Sequence, residues 1–171
     1  MTKYHVTIRQ ATAEDARSLA ALEREADAAF TTGGFGSPPP SSAGHDAAAV
    51  IFVTGEPPVG FAAVTVVGGI AHLEQVSVLP LLTRRGLGSA LVAAACEWSA
   101  RHDFPAITLI TYRDVPWNAP FYARHGFVET ALTQELAALR ASEQARGLDE
   151  FGIRIAMRRD LAAARDRQPR S

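Results

Sequence analysis

The segment Val76-Ser77-Val78-Leu79-Pro80-Leu81-Leu82-Thr83-Arg84-Arg85-Gly86-Leu87-Gly88-Ser89-Ala90-Leu91 constrains this chain more than any other. It joins a β-branched run, stopped by Pro80, to a helix whose apolar face is Leu87, Leu91, Ala94, Ala95 and Trp98. A helix opening at this turn presents backbone N–H groups that have no intrahelical partner, and its dipole favours negative charge. The turn is therefore read as an anion site suited to a phosphate. Gly86 and Gly88 permit close backbone approach, while Arg84 and Arg85 add positive charge. Two glycines one residue apart also suit a plain strand-to-helix connection. No Gly-Lys-Ser/Thr follows, so this is not a P-loop, and the dinucleotide fingerprint needs a third glycine.

The elements around it read in order. Tyr4, Val6 and Ile8 alternate with polar residues as a strand, and Thr12 with Asp15 opens a helix carrying Leu19, Leu22, Ala26 and Ala29. Residues 31–45, rich in Gly, Pro and Ser, read as a flexible loop. It serves either as a solvated connector or as a substrate entrance lined by Phe30 and Phe35. Val50–Val53 and Val59–Val67 form a hairpin across Gly55-Glu56-Pro57-Pro58, and Gly68-Gly69 turns the chain into Ile70–Leu79. After the central helix, Ile107–Thr111 is a strand, so that strand, helix and strand imply a parallel pairing here. Asn118 is placed to cap a short helix with Pro120 in its first turn, ending near Gly126. Phe127 and Val128 resume a strand, Thr133–Arg146 reads as helical, and Phe151, Ile153, Ile155 and Met157 alternate as a last strand. A charged tail is expected over 159–171, and one domain over 1–171.

Composition narrows the function. A net charge of -1 and a pI near 6.5 supply no field for a polyanion, so a nucleic-acid partner is not expected. The single cysteine, Cys96, allows neither an internal disulfide framework nor a thiolate metal cluster, and no metal site is expected. The first residues lack an apolar signal core and no apolar run reaches about 18 residues, so a cytoplasmic protein without a membrane partner is expected.

In this turn, the strand before it and the later Asn118-Ala119-Pro120-Phe121-Tyr122-Ala123-Arg124-His125-Gly126-Phe127, the chain resembles the GCN5-related N-acetyltransferase (GNAT) family. The likeness covers nearly the whole chain. One departure is Thr83, where the family's motif begins with Gln or Arg. The resemblance implies an α/β (α+β) fold. Its sheet is mixed and mostly antiparallel, of six to seven strands, with splayed central parallel strands and about four helices on both faces. It also implies acetyl-CoA as cofactor. Val76, Ser77 and Val78 would pair with its pantetheine arm, Arg84, Arg85, Gly86, Leu87, Gly88 and Ser89 would hold its phosphates, and Asn118 would touch it near the cleft.

Amine attack on a thioester needs a route for the ammonium proton and a proton for the departing sulfur. Tyr122 matches the family's tyrosine acid, and a phenol keeps its proton at neutral pH. A packing role on a short helix is the other reading. His72 and Glu74, two apart on the strand feeding the turn, share a face and form a candidate base pair or a solvated polar strand face. His5, His45, His102 and His125 fall in surface segments. Trp117 either walls an acceptor pocket or plugs the core. Asp114, with Glu74, is placed to bind a cationic amine; otherwise Asp114 caps a turn or pairs with Arg113.

The expected activity is acetyl transfer from acetyl-CoA to a primary amine of a small molecule by direct attack, in a monomer or homodimer. Protein or peptide N-acetylation is the alternative within the fold. A non-catalytic acyl-CoA-binding sensor is the alternative of another class.

Overall fold

The computed structural model describes residues 6–36 and 47–161. Seven strands, β1 (Ile8–Gln10), β2 (Val50–Thr54), β3 (Gly60–Val67), β4 (Ile70–Val78), β5 (Ala106–Tyr112), β6 (Val128–Glu129) and β7 (Arg154–Asp160), form one sheet. Its order is β1-β2-β3-β4-β5-β7-β6. The helices are α1 (Ala13–Thr32), α2 (Leu87–Arg101), α3 (Ala119–Ala123) and α4 (Gln134–Ala145). This is the mixed, mostly antiparallel α/β architecture expected from the sequence.

The start of α1 follows from its first turn. The Asp15 carboxylate accepts from the Thr12 backbone N–H at 2.7 Å and is gripped by Arg9 at 2.6 and 2.9 Å. These hydrogen bonds, that of Arg9 foremost, hold its pKa well below the usual carboxylate range. The apolar residues of the two sheet faces sort onto different helices. Leu19 and Leu22 of α1 pack on Val53, Phe61 and Ala63, whereas Leu91, Val92 and Ala95 of α2 pack with Phe52, Ala62, Val64, Leu73 and Leu109. Period-2 alternation along β2 and β3 thus buries both faces, each fully covered aliphatic side chain contributing roughly 1.5–3 kcal/mol.

Two features of β4 position the site. Its pairing with β3 slips between Val64↔Leu73 and Ala63↔Gln75, leaving Glu74 as an extra residue without a partner on β3. Such a bulge bends the strand and strengthens its twist. Its parallel pairing with β5 consists of Ala71↔Ile107 and His72↔Thr108, and beyond those pairs the two strands part. Toward the carboxyl ends of β4 and β5 the sheet is therefore open.

Several boundaries differ from the sequence expectation. Helix α1 continues through Thr32 into the segment read as loop, and closes when the Gly33 N–H donates to the Ala29 carbonyl at 2.9 Å. Residues 37–46, which include the remainder of that expected loop, and Tyr4 lie outside the described residues. Phe151 belongs to a 3-10 turn (Leu148–Phe151) and not to the last strand, which begins at Arg154 once the backbone has turned at Gly152. The tail begins later than expected, because Arg159 and Asp160 pair with Ile107 and Ala106 and Leu161 is buried.

Candidate functional site

A cleft of about 890 Å³ opens where β4 and β5 diverge. Leu73–Val78 of β4 and Leu109–Tyr112 of β5 form its sides, and α1, the β4–α2 turn, α3, α4 and β7 complete it. Because β5 is absent from the flank of β4 beyond His72, that strand edge faces the cleft, an arrangement that accepts an added extended segment.

At one end lies the turn before α2. Gly86 is the residue before the helix and sits at φ +83, in the left-handed region. A Cβ there would meet nothing within 4 Å, so glycine is required by conformation and not by crowding. Arg84 also has positive φ, at 62. Thr83 is exposed, and its hydroxyl donates to the Pro80 carbonyl at 2.9 Å and so braces the turn. Leu87 buries its side chain in the core, leaving only its amide at the helix start. Thr83, Arg84, Gly86, Gly88, Ser89 and Arg124 border the cleft, whereas Arg85 and Leu87 do not.

Tyr122 and Asn118 stand midway. Tyr122 is buried between the rings of Phe121 and Phe127, and burial pushes its phenol well above the ordinary value. It remains a phenol throughout the neutral range. Asn118 precedes α3 but makes no side-chain cap, and its buried Nδ2 has no hydrogen-bond partner in the protein. A buried amide donor without a partner costs about 1–3 kcal/mol unless a ligand supplies an acceptor.

The other end is acidic and aromatic. Glu23 and Asp27 of α1, Glu74 on the bulge and Glu143 of α4 border it, against Arg146 and Arg154. The charge of Glu143 is matched by Arg154 at 2.7 Å and Arg140 at 3.3 Å. Burial, reinforced by Glu23, pushes Asp27 up to about 6, and burial followed by Glu143 raises Glu74. Phe30 meets Tyr112 and Trp117 edge-on at 5.7 Å, and the Arg154 guanidinium lies 4.5 Å above the Tyr112 ring. Trp117 seats on Gly33, where a Cβ would come within 2.8 Å of the indole.

The residues expected from the sequence are therefore unevenly placed. Glu74, Val76, Ser77, Val78, Asn118, Tyr122, Phe30 and Trp117 come together. His72 does not reach the cleft surface. It is 2% exposed, its Nδ1 lies 2.9 Å from Thr108 Oγ1 and its Nε2 3.9 Å from Glu74. Burial, then Arg154, lowers its pKa to about 4, so the ring is neutral behind Glu74. Phe35 stacks edge-on outside Trp117 at 5.7 Å and does not border the cleft. Asp114 is exposed and likewise outside the cleft border, at a bend after β5 that turns its side chain to solvent. Trp117, 40% exposed and bordering the cleft, is a wall and not a core plug.

Sequence reasoning missed Glu23, Asp27, Glu143 and Arg154. The signal for the first two was present: Glu23, Asp27 and Phe30 fall at i, i+4 and i+7, one helix face, with two like charges adjacent where a purely structural helix would avoid them.

A model of the acetyltransferase (GNAT) family matches residues 11–127. The chain belongs to the GNAT family. As a GNAT protein it shares its fold with solved acetyltransferases at low identity. One is the ribosomal-protein-S18-alanine N-acetyltransferase from Escherichia coli, at 18% identity and TM-score 0.63, covering 91% of this chain and 94% of that one. Another is the PaiA N-acetyltransferase from Thermoplasma acidophilum in complex with coenzyme A, at 14% and 0.64, covering 92% and 99%. A third is N-acetylglutamate synthase from Neisseria gonorrhoeae, complexed with coenzyme A and N-acetyl-glutamate, at 17% and 0.68. There the match spans 94% of this GNAT chain but 36% of the other.

Proposed function

We propose that this GNAT protein transfers the acetyl group of acetyl-CoA to a primary amine of a small cationic molecule, with both substrates bound together in the cleft. The observation that carries the reading is the polarity of that cleft, which has a glycine-shaped helix start at one end and carboxylates with aromatic rings at the other. Family membership and the coenzyme A bound in structural neighbours support the cofactor.

The residues fit coenzyme A. The first amides of α2 suit a diphosphate, with Arg84 and Arg124 at the rim. The open edge of β4 from Val76 to Val78 suits an extended pantetheine amide chain, and the unpartnered Asn118 Nδ2 suits one of its carbonyls. When bound, acetyl-CoA supplies the thioester electrophile.

The chain's own groups then handle protons and charge. Glu74, whose pKa burial and then Glu143 raise, accepts the proton that the acceptor ammonium must lose before it attacks. His72, neutral and fixed by Thr108, backs that carboxylate. Tyr122 holds a proton at Oη for the departing sulfur. Asp27, Glu23 and the rings of Phe30 and Trp117 attract a cation and shield it from water.

The test is coenzyme A release with a panel of small mono- and diamines, amino acids and peptides. Small cationic amines are expected to turn over fastest. Faster turnover of peptides would replace the small-molecule acceptor with a protein substrate, and binding without release would make the chain a sensor.

A further inference from the structure

Ser89 and His125 form a side-chain pair that the acetyl-transfer chemistry leaves unused. Ser89 is the third residue of α2, so its hydroxyl stands in the first turn beside the amides of Leu87 and Gly88. Its Oγ lies 3.1 Å from His125 Nε2. Phe121 packs against the imidazole, ring centroids 4.7 Å apart, and Arg159 of β7 anchors the backbone there by donating to the His125 carbonyl at 3.0 Å while also reaching Cys96 Sγ at 3.6 Å.

We propose that His125 is a positioning residue for the coenzyme's diphosphate: by donating its Nε2–H to Ser89 Oγ it directs the Ser89 hydroxyl proton toward the phosphate, coupling coenzyme affinity to the protonation of His125. This rests on the reading of the turn before α2 as the phosphate site.

A serine hydroxyl has one proton to give. When Nε2 is bare, that proton goes to the imidazole and Ser89 offers an anion only lone pairs. When Nε2 carries a proton the roles reverse, and Oγ accepts from the ring while donating to the phosphate. The imidazolium enforces this arrangement and adds a positive charge. In the protein without coenzyme, burial, then Arg124 on the same turn and Arg159 from β7, hold His125 below its ordinary value. The negative charge of a bound diphosphate offsets the two arginines and raises the His125 pKa. Affinity is therefore highest below the free-state pKa, falls as pH rises toward the bound-state pKa, and is level above it. Each unit between those two values corresponds to about a tenfold change.

The experiment is calorimetric titration of the whole protein with dephospho-CoA, which keeps the diphosphate but lacks the titrating 3′-phosphate, between about pH 5 and about pH 8. The wild type is expected to lose affinity by about tenfold across this window. H125Q, whose amide donates at every pH, and S89A, which removes the relay, should both lose most of that slope. Asp27 titrates in the same range but is unchanged in both variants, so the difference between profiles reads His125. A wild-type slope retained in both variants, or a level wild-type profile, overturns the proposal while leaving the phosphate site standing. Acetyl-pantetheine binding as tightly as acetyl-CoA to the wild type would instead overturn the phosphate site itself, and this inference with it.

Discussion

At the proposed coenzyme end of the cleft Thr83, Arg84, Gly86, Gly88 and Ser89 come from one short stretch of chain; at the proposed acceptor end Glu23 and Asp27, Glu74, Glu143 and Arg154 come from four separate elements. As proposed, the first end works through backbone amides whose direction is set by a helix start, and the second through side chains whose charges are tuned by mutual burial. A backbone site tolerates side-chain change but not conformational change. A side-chain site has the opposite vulnerability, and the two respond differently to pH.

The largest expected effect tests the group between the two ends. Tyr122→Phe should lower kcat by about 10²- to 10⁴-fold while leaving coenzyme A affinity within a few-fold of wild type. An unchanged kcat removes Tyr122 from the acid role, and a matched loss of affinity makes it a binding residue.

Gly86→Val comes next. A β-branched residue resists φ +83, at a strain of about 1–3 kcal/mol, so coenzyme A affinity should fall roughly 5- to 150-fold. Thr83→Ala, which removes only a side-chain brace, should cost far less. Equal losses from the two would show that the coenzyme end does not depend on backbone conformation.

At the acceptor end the signature is a pH profile. Asp27, at about 6, is neutral below that pH and charged above it, so acceptor kcat/KM should rise with pH through this value. Asp27→Asn should remove the rise and lower kcat/KM at neutral pH by about tenfold, measured with a cationic amine. The same substitution should raise Tm slightly above neutral pH. A carboxyl whose pKa is raised on folding destabilises the folded state once pH exceeds its unfolded value, and asparagine carries no such penalty. A profile and Tm both unchanged would remove Asp27 from the acceptor end.

The smallest effect concerns the residue behind the cleft. His72→Gln should leave coenzyme A affinity unchanged and shift the acidic limb of the kcat profile, because Glu74, the base whose ionisation sets that limb, loses its neighbour at 3.9 Å and not its place in the cleft. A loss of turnover as large as that of Glu74→Gln would mean that His72 reaches the acceptor directly.

Much of the proposed coenzyme end was legible because its causes are local. A β-branched strand, a Pro stop, Gly86 and an apolar helix face lie within a few turns of chain, and Asn118 immediately precedes the short helix that carries Tyr122. The acceptor end was legible only in Glu74, Phe30 and Trp117. Asp114 was drawn in by its charge and its place after β5, but the bend there leaves it exposed outside the cleft.

What the sequence determined by itself is the element order, the parallel crossover through α2 and the anion-suited turn, since each depends on the chemistry of neighbouring residues. Tertiary structure decided the rest. Only the slip of β4 against β3 sets Glu74 apart as the bulge residue, and only the packing of β4 on β5 buries His72 against Thr108. Only α4 and β7 folding back bring Glu143 and Arg154 to α1's acidic face. Burial raises or lowers a pKa through neighbours distant in sequence, and no local pattern encodes which neighbours those will be.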